Sequence, residues 1–505
     1  MSHSTPDATA PRDVVAVSFA AIVLAMLPAV LDQTILATAL PTIASALGSL
    51  TDVSWVVTAY VVAAAASTPL WGKLGDRHGR KRLLELSLAL FLGASALCGV
   101  AQDITMLVVS RVVQGVAAGG LMTLAMAAVG DLVSPRERAR YQGYIATTFA
   151  VATIAGPLIG GVLVEHAGWR WVFYVNLPLG LAALAGLHLR FPAPPTERPA
   201  RPLDALGAGL LAAATSAFML ACIWGGSRYA WDSPAILGLL GGAVGLGGAL
   251  AARERRAADP IVPLALLRTR TVAVASAALF LATAALFAIN VFVPLFLQTT
   301  TGATPTEAGL LLVPAMLGIT LSTNLAGRAI VRTGRYKRYP VAGLALMTVA
   351  LALLAVVARD PSRVTVGIGL GLFGLGFGMV GQVLIVAVQN GTERRQLGVA
   401  MATTSFFRGL GGAVGAAVLG AIFAARAGGS DLAGEGVGHL GAAARADVID
   451  GVQTVFLVAA AIAAVALLLV LLLREVPLQG PGGGERPAEA TPAATAQRPV
   501  AQARG

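Results

Sequence analysis

The strongest constraint on this chain is a repeat of scale rather than of sequence. Uninterrupted apolar runs recur from near Val14 to near Leu473, separated by short polar stretches. They fall near 14–38, 53–71, 83–101, 104–131, 141–163, 171–190, 204–225, 234–252, 271–298, 306–326, 339–358, 364–390, 397–424 and 451–473. Each holds about twenty residues or more, enough for a helix to cross roughly 30 Å of hydrocarbon. Only 12% of the 505 residues are charged, against about a quarter in soluble domains. The mean hydropathy is +0.78. Length alone would suggest several soluble domains, but the charge deficit points to an all-α integral membrane protein with fourteen transmembrane helices.

The formal charge of +11 raises the possibility of a polyanionic partner. Its distribution argues against one. The even number of spans puts both termini on one side, and nearly every lysine and arginine outside the spans falls on that side too. The exceptions are Arg170, Arg228, Arg359, Arg363, Arg426 and Arg445. This asymmetry marks the basic side as cytoplasmic, so the high pI reports orientation and no nucleic acid is expected. Cys98 and Cys222 both lie mid-span and read as small apolar fillers rather than a disulfide or metal site. The leader MSHSTPDATAPRD precedes an apolar run too long for a cleaved signal, which reads as a retained anchor.

The expected segments are a cytoplasmic leader 1–13, a six-helix half 14–190, a linker 191–203 and two additional helices 204–252. A second linker 253–270, a second six-helix half 271–473 and a disordered Pro/Gly/Ala-rich tail 474–505 follow. GKLGDRHGRKR (72–82) after the second span is echoed by GRAIVRTGRYKR (327–338) after the tenth, without its aspartate. That echo supports two six-helix pseudo-repeats with the seventh and eighth spans set aside as an insert.

Charges inside the spans are few. An ionised side chain at the bilayer centre costs at least about 3 kcal/mol and usually faces protein or a water-filled cavity. Asp32, Arg111 and Arg408 stand out. Asp32 in the outward-running first span and Arg111 in the inward-running fourth each lie about 10–14 Å from the outer end of their helices, so they can pair. Burial and a neighbouring arginine push a carboxyl group in opposite directions. Such a site can exchange a proton for a cationic cargo, or it can simply lock two helices together. Arg408 lies near mid-depth with no acid in its own span, and a structural or state-locking role is expected for it before cargo contact. Gln33, Gln114, Asn290, Gln382 and Gln389 are candidates to line a cavity, and Asn324 is equally able to bond a neighbouring helix. Trp55, Tyr60 and Phe287 can present aromatic faces to cations or serve as interfacial anchors.

GLGLFG (369–374) and GFGMVG (376–381) satisfy a dinucleotide-binding pattern, but inside an apolar span with no preceding strand they do not form one. No Walker A sequence, H-E-x-x-H or G-x-S-x-G occurs, so neither an ATP-driven pump nor an enzyme is expected.

Several motifs carry a family resemblance. GKLGDRHGRKR is similar to the loop 2–3 signature of the major facilitator superfamily, and RVVQGVAAGG (111–120) resembles its fourth-span Arg-x-x-Gln-Gly motif. FAVATIAGPLIGG (149–161) resembles its antiporter motif. LDQTILATALP (31–41) and WRWVFYVNLPLG (169–180) resemble motifs of its fourteen-helix drug:proton antiporter branch, of multidrug efflux type. The resemblance implies alternating access between two halves, with no cofactor and with the proton-motive force driving export of small lipophilic or cationic compounds across the cell membrane.

Residue by residue, the resemblance implies that Asp32 and Arg111 serve proton coupling or cation recognition. Gly72, Asp76, Arg77, Gly79 and Arg80 would form a cytoplasmic gate, its glycines allowing a tight turn and its aspartate capping a helix across the domain boundary. Lys81 and Arg82 read as positive-inside anchors. Gly156, Pro157, Gly160 and Gly161 would lie where the halves meet on the outer side. The same fold would equally serve a dedicated exporter of one endogenous metabolite. A non-transporting membrane sensor or scaffold is the reading from another class, and it expects Asp32→Asn to be silent.

Overall fold

The computed structural model describes residues 12–47, 50–191, 203–226, 228–257, 259–261, 264–301, 307, 310–359, 362–393, 396–426, 442–475 and 478. Most of the expected leader and tail, the stretch 192–202 of the first linker and the stretch 427–441 lie outside them.

The first half contains α1 (Arg12–Leu47), α2 (Leu50–His78), α3 (Arg80–Gly99), α4 (Ile104–Leu132), α5 (Pro135–His166), the short α6 (Trp171–Tyr174) and α7 (Asn176–Arg190). Then come α8 (Ala205–Trp224), α9 (Pro234–Glu254) and the five-residue α10 (Leu264–Arg268). The second half contains α11 (Arg270–Phe287), a π-helical turn Ala288–Phe292, and α12 (Val293–Thr301). It continues with α13 (Val313–Thr333), α14 (Arg338–Val357), α15 (Arg363–Asn390), α16 (Leu397–Arg426) and α17 (Ala442–Leu471). Thirteen spans among the described residues are long and apolar enough to cross a membrane, and α13 completes the fourteen.

Hydropathy locates these helices but misjudges several ends. The expected loop 72–82 is nearly all helix, with a single break at Gly79, whose φ of 91° ends α2. Residues 327–333 continue α13 to Gly334, at φ 69°, and the expected loop 134–140 is largely the first turns of α5. Polar side chains at a helix end lower hydropathy without interrupting the backbone ladder, which explains each shift. The sixth span is broken between Tyr174 and Asn176.

Starts are fixed by side-chain caps. Asp103 accepts from Met106 N at 2.7 Å to begin α4, and Ser362 and Thr365 form a capping box at α15. Within each half, close packing is made by glycines one turn apart. Gly115 and Gly119 of α4 press on the backbone of α2 at Tyr60 and Ala64, leaving no space for a Cβ. Gly374 and Gly378 of α15 do the same on α13 at Ala315 and Ile319. Of the glycines in the two dinucleotide-like patterns, Gly369, Gly374, Gly376 and Gly378 therefore serve helix packing. The inserted pair α8 and α9 pack on each other, and α8 also lies against α2 and α16.

Candidate functional site

Five helices bring one buried polar cluster together in the first half. Asp32 of α1 is fully buried, and its Oδ2 lies 2.5 Å from Arg111 Nη1 of α4, which is itself 1% exposed. Gln114, one turn on from Arg111, donates from Nε2 to Asp32 Oδ1 at 3.0 Å. Asn176, the first residue of α7, donates to the same oxygen at 3.2 Å. The break after Tyr174 is what lets a helix N-terminus deliver an amide to this depth. Ser95 of α3 accepts from both amides, at 3.3 and 3.1 Å, and donates to Phe173 O at 2.9 Å.

Arg111 is equally occupied. Its Nε donates to the Val56 carbonyl at 3.1 Å, its Nη1 also reaches Gln114 Oε1 at 2.7 Å, and its guanidinium lies 4.1 Å from the centre of the Tyr60 ring. The pair anticipated from depth is thus formed, inside a larger network that includes two amides and a cation–π contact. Gln114 belongs to this network, which corrects its expected place on a cavity wall. Tyr60 receives an internal cation, and Trp55 packs on Trp224 of α8 at 5.1 Å. Asn176 was overlooked in the sequence, although it stands inside WRWVFYVNLPLG; an amide among apolar neighbours was the available signal.

At the basic end of the bundle the two halves are tied together. Asp76 of α2 accepts from Gly398 N and Val399 N, both at 2.8 Å, in the first turn of α16. Its carboxylate charge thereby meets the positive end of that helix. Arg80 Nη2 reaches back to Asp76 Oδ1 at 2.8 Å, and Arg80 also pairs with Asp131 of α4. Gly72 faces Gly398 so closely that a Cβ on it would lie 2.5 Å from the Gly398 carbonyl oxygen. Gly72 is therefore needed for helix approach, whereas the turn rests on Gly79 alone. Gly327, in the echoed motif, presses in the same way on the backbone at Ala139.

Three further ties hold this end; of their side chains only Arg77 belongs to the expected gate, while Lys73, Lys81, Arg138 and Asp259 lie in segments that read as anchoring loops or linkers. Arg138 of α5, 4% exposed, donates to Gln389 O at 2.7 Å and Gly130 O at 2.5 Å. Lys73 and Arg77 both pair with Asp259 in the linker after α9, Arg77 at 3.0 Å. Lys81 donates to His188 O at 2.9 Å and Phe191 O at 2.7 Å, which holds the end of α7.

Gln389 is buried and donates to Met126 O across the seam at 3.0 Å, so it seals rather than lines a cavity. Asn324 also bonds across the halves, to Thr147 Oγ1 at 2.9 Å and Gly143 O at 3.3 Å. Gln33 and Asn290 are exposed, Asn290 in the π-helical turn, and Gln382 is half-buried with an unpartnered Oε1.

The antiporter-type segment stands differently from its expected place. Gly156 and Gly160 press on Thr34, Ile35 and Thr38 of α1, inside the same half, while Pro157 and Gly161 are exposed. The physical reason is the seam itself: α5 meets α13 through its basic-end turns at Ala139, Gly143 and Thr147, not through 156–161. Arg408 of α16 is half-buried beside a small cavity and makes no ion pair or hydrogen bond among the described residues.

The sequence profile described as Major Facilitator Superfamily matches residues 22–416. An uncharacterized MFS-type transporter of Mycobacterium tuberculosis is 38% identical over 479 residues, covering 91% of this chain and 69% of that protein. A multidrug transporter protein of Bacillus subtilis is 34% identical over 413 residues, covering 81% of this chain and 75% of its own length. The fold is also that of the human organic anion transporter MFSD10, with a TM-score of 0.63 at 18% identity, covering 92% of this chain and all of the other.

Proposed function

The chain belongs to the Major Facilitator Superfamily and is a multi-pass membrane transporter, not an enzyme; from that premise we propose that it exports small lipophilic compounds in exchange for protons. The reading places it in the fourteen-helix drug:proton antiporter branch, in the cell membrane with its basic end and both termini cytoplasmic. Relatives named as multidrug transporters and efflux pumps, at 32–34% identity, support the export direction.

The observation that carries the coupling scheme is the Asp32 network. Among the described residues Asp32 is the acid held at mid-depth of the first half, where a proton moving through the membrane interior has a place to stop. Its oxygens already receive Arg111, Gln114 and Asn176, so a cationic cargo finds no open coordination there. This favours Asp32 as the proton site and moves cargo recognition elsewhere. Protonation of Asp32 neutralises the carboxylate that Arg111 pairs with and so loosens the tie between α1 and α4, whose other end carries Gly130 and Asp131 into the cytoplasmic seal.

In this conformation the cytoplasmic end is sealed by Asp76, Gln389 and Arg138, and Asp32 is shut away from both solvents. Alternating access would break the seal and open the network by rocking of the halves about it, a mechanism the superfamily shares. The membrane potential contributes about 2.3 kcal/mol per proton per 100 mV. Dye accumulation in inverted membrane vesicles tests the reading. A protonophore and Asp32→Asn are each expected to abolish it, and protonophore-insensitive accumulation would refute proton coupling.

A further inference from the structure

Arg408 is the third charge sunk in the bilayer, and the Asp32 network leaves it unexplained. It stands eleven residues into α16, about 16 Å from the start of that helix. One face of α16 carries Met401, Thr404, Ser405 and Arg408 at helical spacing. These four, with Met126 of α4 from the other half, Leu279 of α11 and Ile385 of α15, line a small cavity of about 10 Å³. That is room for one water molecule. The cavity lies on the seam between the halves, just inside the contact that Gln389 makes with Met126.

A guanidinium at this depth normally faces an acid or a run of carbonyls. Arg408 has neither among the described residues. The transmembrane stretches of α11 to α16 contain no aspartate or glutamate, and Asp32 is committed to Arg111. The expected state-locking role therefore lacks a counter-charge in this conformation. Thr404 spends its hydroxyl on Ala400 O at 2.8 Å, whereas Ser405 has no hydrogen-bond partner among the described residues. One permanent positive charge and one free hydroxyl thus border a small, partly open apolar slot at the meeting line of the two halves.

From this juxtaposition we propose that Arg408 receives the carboxylate of a lipophilic organic acid when the halves part, Ser405 assisting. The planar guanidinium suits bidentate contact with a carboxylate. Met126, Met401, Leu279 and Ile385 supply adaptable apolar walls for the body of the molecule. The inference rests on the exporter reading and sharpens its cargo class from lipophilic compounds in general to those bearing an acid group.

The test compares 1-naphthoate with 1-naphthamide, which share a ring system and differ in charge, by thermal stabilisation of the purified full-length protein at pH 7. A charge-assisted pair predicts that the wild type binds 1-naphthoate about tenfold more tightly than the amide. Arg408→Gln is expected to erase that preference and leave 1-naphthamide unchanged. Equal binding of the two, no binding of 1-naphthoate, or a preference that survives Arg408→Gln would each overturn the proposal. Should that variant not fold, Arg408→Lys decides, since it keeps the charge and loses the fork: 1-naphthoate must weaken severalfold with the amide unaltered, and unaltered 1-naphthoate binding overturns the assignment. The binding comparison needs no proton gradient. Carboxylate preference without protonophore-sensitive transport would remove proton coupling and keep Arg408, and the reverse pattern would do the opposite.

Discussion

Asp76 and Val399 lie 323 positions apart in sequence, yet the carboxylate of the first accepts the backbone N–H of the second at 2.8 Å. Together with the bond from Gly398, this gives one side chain the two orphan donors that start α16, and it joins the halves at their basic end. Asp76→Asn removes the charge and turns an amide donor toward backbone donors. A charged hydrogen bond contributes about 1.5–3 kcal/mol. We expect Met126→Cys, placed under the seal, to be alkylated from the basic side at least several times faster when Asp76→Asn is added.

Gly398 offers a steric route to the same end. A Cβ there would lie 2.5 Å from Asp76 Oδ1 and 2.6 Å from the Gly72 carbonyl oxygen. Overpacking costs about 1–3 kcal/mol, and here it falls on the sealed conformation alone. Gly398→Val is therefore expected to raise alkylation of the same cysteine while leaving the thermal midpoint of the bundle little changed. A large fall in the midpoint with alkylation unaltered would place the cost in folding instead.

Asp259 ties the linker after α9 to Lys73 and Arg77, but all three side chains keep some exposure, 23% for Asp259. Partly exposed pairs are worth about 0–1 kcal/mol and are screened by salt. Asp259→Asn is expected to loosen the seal less than Asp76→Asn, with a difference from wild type that shrinks as ionic strength rises. Alkylation rates measured across a salt series check this.

Removing one member of a buried ion pair strands the other, at a cost of about 3–5 kcal/mol. Arg111→Gln is expected to lower thermal stability sharply, and adding Asp32→Asn to restore part of the loss. Asn176→Ala deletes a donor but no charge, so it should cost less than either. Thermal unfolding of Arg111→Gln, Asp32→Asn, Asn176→Ala and the Arg111→Gln/Asp32→Asn double mutant separates these terms.

Much of the architecture was legible because hydropathy reports depth in the bilayer, and depth alone brought Asp32 and Arg111 to one level. Helix ends were not, since Arg80, Arg138 and Arg332 are polar yet helical. The partners that complete the site were hidden for a related reason. Asn176 reaches Asp32 across 144 positions and Asp259 reaches Arg77 across 182. No periodicity within a segment encodes such meetings. The echo of 72–82 in 327–338 was the better guide: Gly72 and Gly327 are both helix-contact glycines, and Gly79 and Gly334 both take positive φ.

Protons released by purified protein into weak buffer, on addition of a transported lipophilic dye, test the coupling claim most directly. If Asp32 is the carrier, the wild type releases protons in proportion to bound dye and Asp32→Asn releases none while still binding it. Release from Asp32→Asn equal to that of the wild type would contradict the assignment.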